Sequence, residues 1–193
     1  MKKILFIATL LTLLTGCAKT TTNNNPSDYQ SCYNSLLNNS DFHSELYIFP
    51  KDIKQKEIIS FSYRARDDLF TGSYLLYLVM KYNQDEFNNE LNRLNDVKAT
   101  FSRVNLVKPI IKDEEHSLYL SIYKDNRFEY AIYDNNELEI VYVSNQLFDW
   151  KETGIDGKYQ IDKVNIPSSL DDGNNTYNMY YAYDNTGGLY VKD

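Results

Sequence analysis

Apolar and polar residues alternate with period two from Ile58 to Arg66, where Ile59, Phe61, Tyr63 and Ala65 face away from Ser60, Ser62, Arg64 and Arg66. This pattern predicts a strand with one buried and one wet face. Asp67 to Gly72 supplies a turn. The next run, Ser73 to Tyr82, is apolar on both sides, with Leu75, Tyr77 and Val79 opposite Tyr74, Leu76, Leu78 and Met80. A strand of that kind is covered on both faces and is central in its sheet. The period then changes to that of a helix. Asn83 stands as N-cap with Glu86 three residues on, the spacing of a capping box. Phe87, Leu91 and Leu94 follow at i, i+4 and i+7, which predicts a helix from Gln84 to about Lys98 packing that face on the sheet. Glu90, Asn92, Arg93 and Asn95 are expected to face mostly solvent.

Alternation returns three times between Leu118 and Ser144: Leu118, Leu120 and Ile122; Phe128, Tyr130 and Ile132; Leu138, Ile140 and Tyr142. The intervening Lys124–Arg127 and Asp134–Glu137 are rich in Asp and Asn, residues that tolerate hairpin turns. The three runs therefore predict an antiparallel meander. A short helix is expected from Tyr29 to Leu37, and a last strand from Tyr177 to Tyr183 after the polar loop Ser168–Thr176. The fold class that follows is α+β, an antiparallel β-sheet (meander) with one amphipathic helix packed on a face, in two layers.

The N-terminus has a different pattern. Lys2 and Lys3 precede an apolar run from Ile4 to Leu14, the length of a signal-peptide core and too short for a membrane-spanning helix, which needs ~20 apolar residues. The run ends in Leu14-Thr15-Gly16-Cys17, which resembles the lipobox of bacterial lipoproteins. The resemblance implies lipid transfer to the Cys17 thiol and cleavage before it, so that residues 1–16 are a signal peptide and the protein's partner at that end is membrane lipid. It also implies a lipid-anchored protein on the extracytoplasmic face of the cell membrane. Residues 17–28 are expected to be a lipidated flexible tether, because Ala18–Ser27 (AKTTTNNNPS) is polar and aperiodic. Residues 29–193 then form a single α+β domain. The stretch from Tyr74 to Leu94, with the tyrosine-rich meander beyond it, is loosely similar to small lipoproteins of uncharacterised families, a likeness that carries no activity.

Charge narrows the partners. The signal segment holds two of the 20 basic residues and none of the 27 acidic ones, which leaves 18 against 27, a formal charge of −9 on the mature chain. Such a balance argues against nucleic acid and against adhesion to anionic lipid. Of two cysteines, lipidation consumes Cys17, and Cys32 has no partner for an internal disulfide. Cys32 reads as a buried apolar residue ahead of a loose thiol or an intermolecular link.

Candidate chemistry is thin. His116 follows Asp113-Glu114-Glu115, yet neither it nor His43 has a second histidine at ligand spacing, and a solvated acidic loop explains the run better than a metal site. Ser121 and Lys124 have the Ser-x-x-Lys spacing of penicillin-recognising enzymes, but fall across a strand and its turn, where i and i+3 point apart. Asp171-Asp172-Gly173-Asn174-Asn175 lacks the glutamate of an EF-hand loop, with Met179 in its place. No catalytic residue, metal site or cofactor is therefore assigned. The aromatic content is high, with 18 Tyr, 9 Phe and one Trp. Most of these suit core and sheet positions. Trp150 and Tyr180 are the candidates for an exposed binding surface. The expectation is a non-enzymatic lipoprotein that binds a protein or glycan partner in the cell envelope. The alternatives are an envelope hydrolase using paired carboxylates such as Asp113 and Glu115, and a solute-binding accessory lipoprotein.

Overall fold

The computed structural model of the chain describes residues 19–39, 42, 45–53, 57–67, 72–104, 117–124, 127–146, 181–183 and 189–192. Trp150, Tyr180, Asp113, Glu115, both histidines and the 168–176 loop lie outside them. Within the described residues, nine strands form one sheet. They are β1 (Lys19–Asn23), β2 (Ile58–Asp67), β3 (Gly72–Lys81), β4 (Phe101–Val104), β5 (Ser117–Lys124), β6 (Arg127–Asp134), β7 (Glu139–Gln146), β8 (Tyr181–Tyr183) and β9 (Leu189–Lys192). Their order is β1-β2-β3-β7-β6-β5-β8-β9-β4, and all pairings are antiparallel. Two helices, α1 (Tyr29–Asn38) and α2 (Gln84–Ala99), supply the second layer of the expected α+β fold.

The α2 signals act as their spacing dictates. Asn83 accepts from the Glu86 backbone N–H at 2.9 Å, and the Glu86 carboxylate reaches back to the Asn83 N–H at 3.3 Å, so two otherwise orphaned donors are satisfied. Phe87 and Leu94 are fully buried and Leu91 packs half-buried against the core. The β5-β6-β7 meander forms as expected, and its second turn is fixed by Asp134 Oδ1, which accepts from the N–H groups of Asn136 and Glu137. The αL residue that ends this turn is Leu138, at φ 54°, rather than an Asn; its carbonyl accepts from Tyr82 N–H at 3.0 Å, which ties the turn to the end of β3.

On the helix-facing side the core joins Phe61 and Tyr63 of β2, Tyr74, Leu76, Leu78 and Met80 of β3, and Ile140 and Tyr142 of β7 to Phe87 and Leu94. Tyr29 of α1 meets Phe61 edge-on, and its hydroxyl donates to Pro50 O at 2.6 Å. The opposite side of β3, β6 and β7 is buried too, through Leu75, Tyr77, Val79, Phe128, Tyr130, Val141 and Val143. Tyr29, Tyr33, Tyr63, Tyr74, Tyr77, Tyr130 and Tyr142 are thus core residues. Cys32 is buried and free.

Several expectations change. The segment read as part of a flexible tether contains an edge strand: Lys19–Asn23 pairs with Tyr63–Asp67, and Asn25 caps a 3-10 turn at Pro26–Asp28. Its polarity is that of an edge exposed to water, and its three threonines are β-branched residues suited to an extended backbone. Ile59 is 52% exposed rather than buried, because a bulge between Ile58 and Ser60 shifts the register. Glu90 and Arg93 do not face open solvent; both are partly buried beneath the 45–53 segment. Strands β4 and β9 are short additions that no alternation announced.

Candidate functional site

The residues that matter to the site come from four places in the chain. On the helix side of β6, Glu129 is fully buried, and its carboxylate accepts the backbone N–H groups of Tyr47 (3.0 Å), Ile48 (2.8 Å) and Phe49 (3.1 Å). Arg93, close to the middle of α2, grips the same segment by its other polarity, donating to the carbonyls of Tyr47 and Ile48. A negative group holds the donors and a positive group holds the acceptors, so a loop without regular structure is fixed at both ends of its peptide dipoles.

Arg93 is held in turn. Its Nε and Nη2 meet Glu90 Oε2 and Oε1 at 2.9 and 2.6 Å, a bidentate pair at i,i+3. Tyr142 from β7 donates to the same Glu90 Oε1 at 2.7 Å, and the Tyr82 hydroxyl lies 2.7 Å from that of Tyr142. The line Tyr82–Tyr142–Glu90–Arg93 thus runs from the end of β3 to the loop.

Burial shapes the protonation of these groups. It raises Glu129 above the ordinary carboxylate range, while buried Arg127 and the three loop N–H groups pull it back down. Burial also lifts Tyr82 and Tyr142 well above the usual tyrosine value, reinforced for Tyr142 by Tyr82 and for both by Glu90. For Arg93, burial works against the charge, but Glu90 outweighs it and the guanidinium is held above its ordinary value. Both tyrosines are therefore neutral donors or acceptors at any physiological pH.

Around this network two open clefts share Asp52, Glu90 and Arg93. The larger, about 950 Å³, lies between α1, the 45–53 segment and α2, with Tyr33, Leu37, Tyr47, Phe49 and Val97 among its walls. The smaller, about 470 Å³, is lined by Ile53, Glu57, Tyr82, Glu86 and Asn89 in addition to the three shared residues. Volumes of this order suit a small molecule or a few residues of a chain. Leu37 is 42% exposed on the wall, an apolar side chain open to a partner. Among the described residues no group of three or more His, Cys, Asp or Glu side chains is arranged to hold a metal.

Neither Glu129 nor the Glu90–Arg93 pair was singled out from sequence, although signals existed. Glu129 interrupts the run Phe128-Tyr130-Ala131-Ile132, where a charge on a two-sided strand has to be buried and bonded. Glu90 and Arg93 have ion-pair spacing on α2. The sequence-based candidates Trp150 and Tyr180 are outside the described residues, as is the Asp113–Glu115 pair.

An α+β sheet domain with a polar-floored cleft defines a broad class of protein, and the particular assignment comes from the N-terminus. Residues 1–18 match the family model of the prokaryotic membrane lipoprotein lipid attachment site, and the cysteine within that match is Cys17. The chain is a bacterial lipoprotein, associated with the membrane through its lipid anchor. No helix of the described residues is long and apolar enough to cross a membrane. Neither the curated proteins nor the solved structures contain a match to the chain.

Proposed function

We propose that the protein is an extracytoplasmic, non-enzymatic lipoprotein that binds a protein or glycan partner of the cell envelope in the cleft between α1, the 45–53 segment and α2. The observation that carries this reading is the way the cleft is built. Its floor is a charged network fixed from both sides by Glu129 and Arg93, and its wall offers Leu37 and aromatic side chains. Rigid polar groups beside an exposed apolar side chain, Leu37, suit recognition, since little is lost in ordering them on binding. Of the carboxylates at the cleft, Glu90 on its wall and the buried Glu129 beneath are occupied by structural bonds, which favours binding over acid–base chemistry at these two. Trp150 and Tyr180 remain candidates for a contribution from the C-terminal third.

The reading is tested by placing a photoreactive amino acid at Lys51, an exposed residue of the same cleft, in cells and comparing the partner captured when the rest of the chain is wild type, Leu37→Glu or Trp150→Ala. Capture lost in Leu37→Glu with the fold intact is the expected result. Equal retention by wild type and Leu37→Glu removes the cleft as the binding surface. Hydrolysis of envelope material by the purified protein, abolished in Glu90→Gln, overturns the non-enzymatic reading.

A further inference from the structure

The lipid anchor and the first strand lie almost next to each other in the chain. Only Ala18 separates Cys17 from Lys19, the first residue of β1. Two residue steps reach at most about 7 Å in any conformation. Lys19 pairs with Asp67, and Asp67 with Gly72, so one end of the β1-β2-β3 sheet is leashed within that distance of the acylated residue. The opposite end of the same strands, at Ile58 and Lys81, is nine residues along, about 30 Å at the rise of a β-strand.

Such a leash is far too short for the domain to move independently of the membrane. A ten-residue coil averages nearer 17 Å from end to end. The remaining choice is between a domain standing on its Lys19 end and one lying along the β1 edge. Strand β1 reads Lys-Thr-Thr-Thr-Asn, exposed except at Asn23, with no apolar side chain to insert into lipid. The mature chain carries −9, which disfavours broad contact with anionic lipid.

The geometry points to a lipid-surface-facing end of this domain, the Lys19–Asp67–Gly72 end of the sheet, seated directly against the bilayer with the long axis of β2 directed away from it. The smaller cleft is then presented outward. Its residues Glu57, Tyr82 and Glu86 immediately flank Ile58, Lys81 and the start of α2, at the far end of the strands. The binding reading above concerns the larger cleft, which shares Asp52, Glu90 and Arg93 with this one, and the orientation does not rest on it.

The test uses the full lipidated protein in phosphatidylcholine vesicles carrying an energy acceptor on a fraction of headgroups. Single labels are introduced at Thr20→Cys or Lys19→Cys on β1, and at Ile59→Cys or Gln84→Cys at the far end; Cys17 is acylated and Cys32 is buried, so neither competes. Strong loss of donor emission at the β1 positions with little at the far positions is expected, and ten Gly/Ser residues inserted after Ala18 should reduce the β1 loss. Equal loss at both ends indicates a domain lying on its edge, and insensitivity to the insertion means the leash does not set the distance; either result overturns the orientation. A protein that fails to join vesicles at all, like Cys17→Ser, would instead fail the anchor, and loss of partner capture with the orientation intact would fail only the binding reading.

Discussion

Glu129 is a carboxylate whose folded environment works in two directions, and the balance has a measurable sign. Burial disfavours its charge more than Arg127 and the Tyr47–Phe49 N–H groups favour it, so its folded pKa is raised above the unfolded value. A raised carboxyl contributes stability that is fully present below the unfolded pKa and is lost as pH rises through the folded one. Wild type should therefore lose stability relative to Glu129→Gln as pH rises from the ordinary carboxylate range through that of Glu129. Urea unfolding midpoints of the two proteins across that window check this; a difference that stays flat or grows in the other direction would contradict it. Cys32 offers a second residue-scale check. Burial, with a smaller push from Asp28, raises its thiol to about 11. Because the thiolate is the reactive form, Cys32 should react slowly with a maleimide in the folded protein at neutral pH and readily in urea, whereas rapid folded-state labelling would place it at an accessible surface. Its burial was legible from residue type alone. The roles of Glu90, Arg93 and Glu129 were not, because helical and strand periodicity count apolar side chains. What buries these charges is a loop some 40 to 80 positions away in the chain, between Tyr47 and Phe49.

At the scale of elements, α2 was the most legible part of the fold, since its cap and its apolar stripe are both local to it. Removing the Asn83 cap by Asn83→Ala should cost about 1 kcal/mol. Leu94, with 0% exposure, and Leu91, half-buried, separate the tightly packed centre of the stripe from its margin. Leu94→Ala should cost about 2 to 5 kcal/mol and Leu91→Ala clearly less, measured by denaturant unfolding; equal costs would mean that α2 is rotated about its axis from the placement described. Strand β1 was illegible for the converse reason. Its extended form comes from pairing with β2, and an edge strand exposed to water needs no apolar alternation to mark it. Ile59 shows how one bulge defeats a pattern that is otherwise correct at Phe61, Tyr63 and Ala65, since a single-residue shift moves a side chain to the other face.

The whole molecule combines two kinds of information that differ in how they are encoded. The anchor is a linear address, contained in residues 1–18, and needs no fold to be read. The cleft is a product of the fold: α1, the 45–53 segment and α2 form its walls, with β6 and β7 supplying Glu129 and Tyr142 beneath. This separation predicts that the two can be uncoupled. Cys17→Ser removes the thiol that carries the lipid, while the strand that follows it in the chain, Lys19–Asn23, is an exposed edge rather than part of the core. The variant should leave the membrane fraction or accumulate as uncleaved precursor, since two acyl chains give stable anchoring and no helix of the described residues is long and apolar enough to replace them. Its unfolding midpoint, measured on the soluble protein, should match that of wild type freed of its lipid. A Cys17→Ser protein that still fractionates with membranes at mature size would show that something other than the thioether holds it there, and a lowered midpoint would show that the anchor and the sheet are not independent.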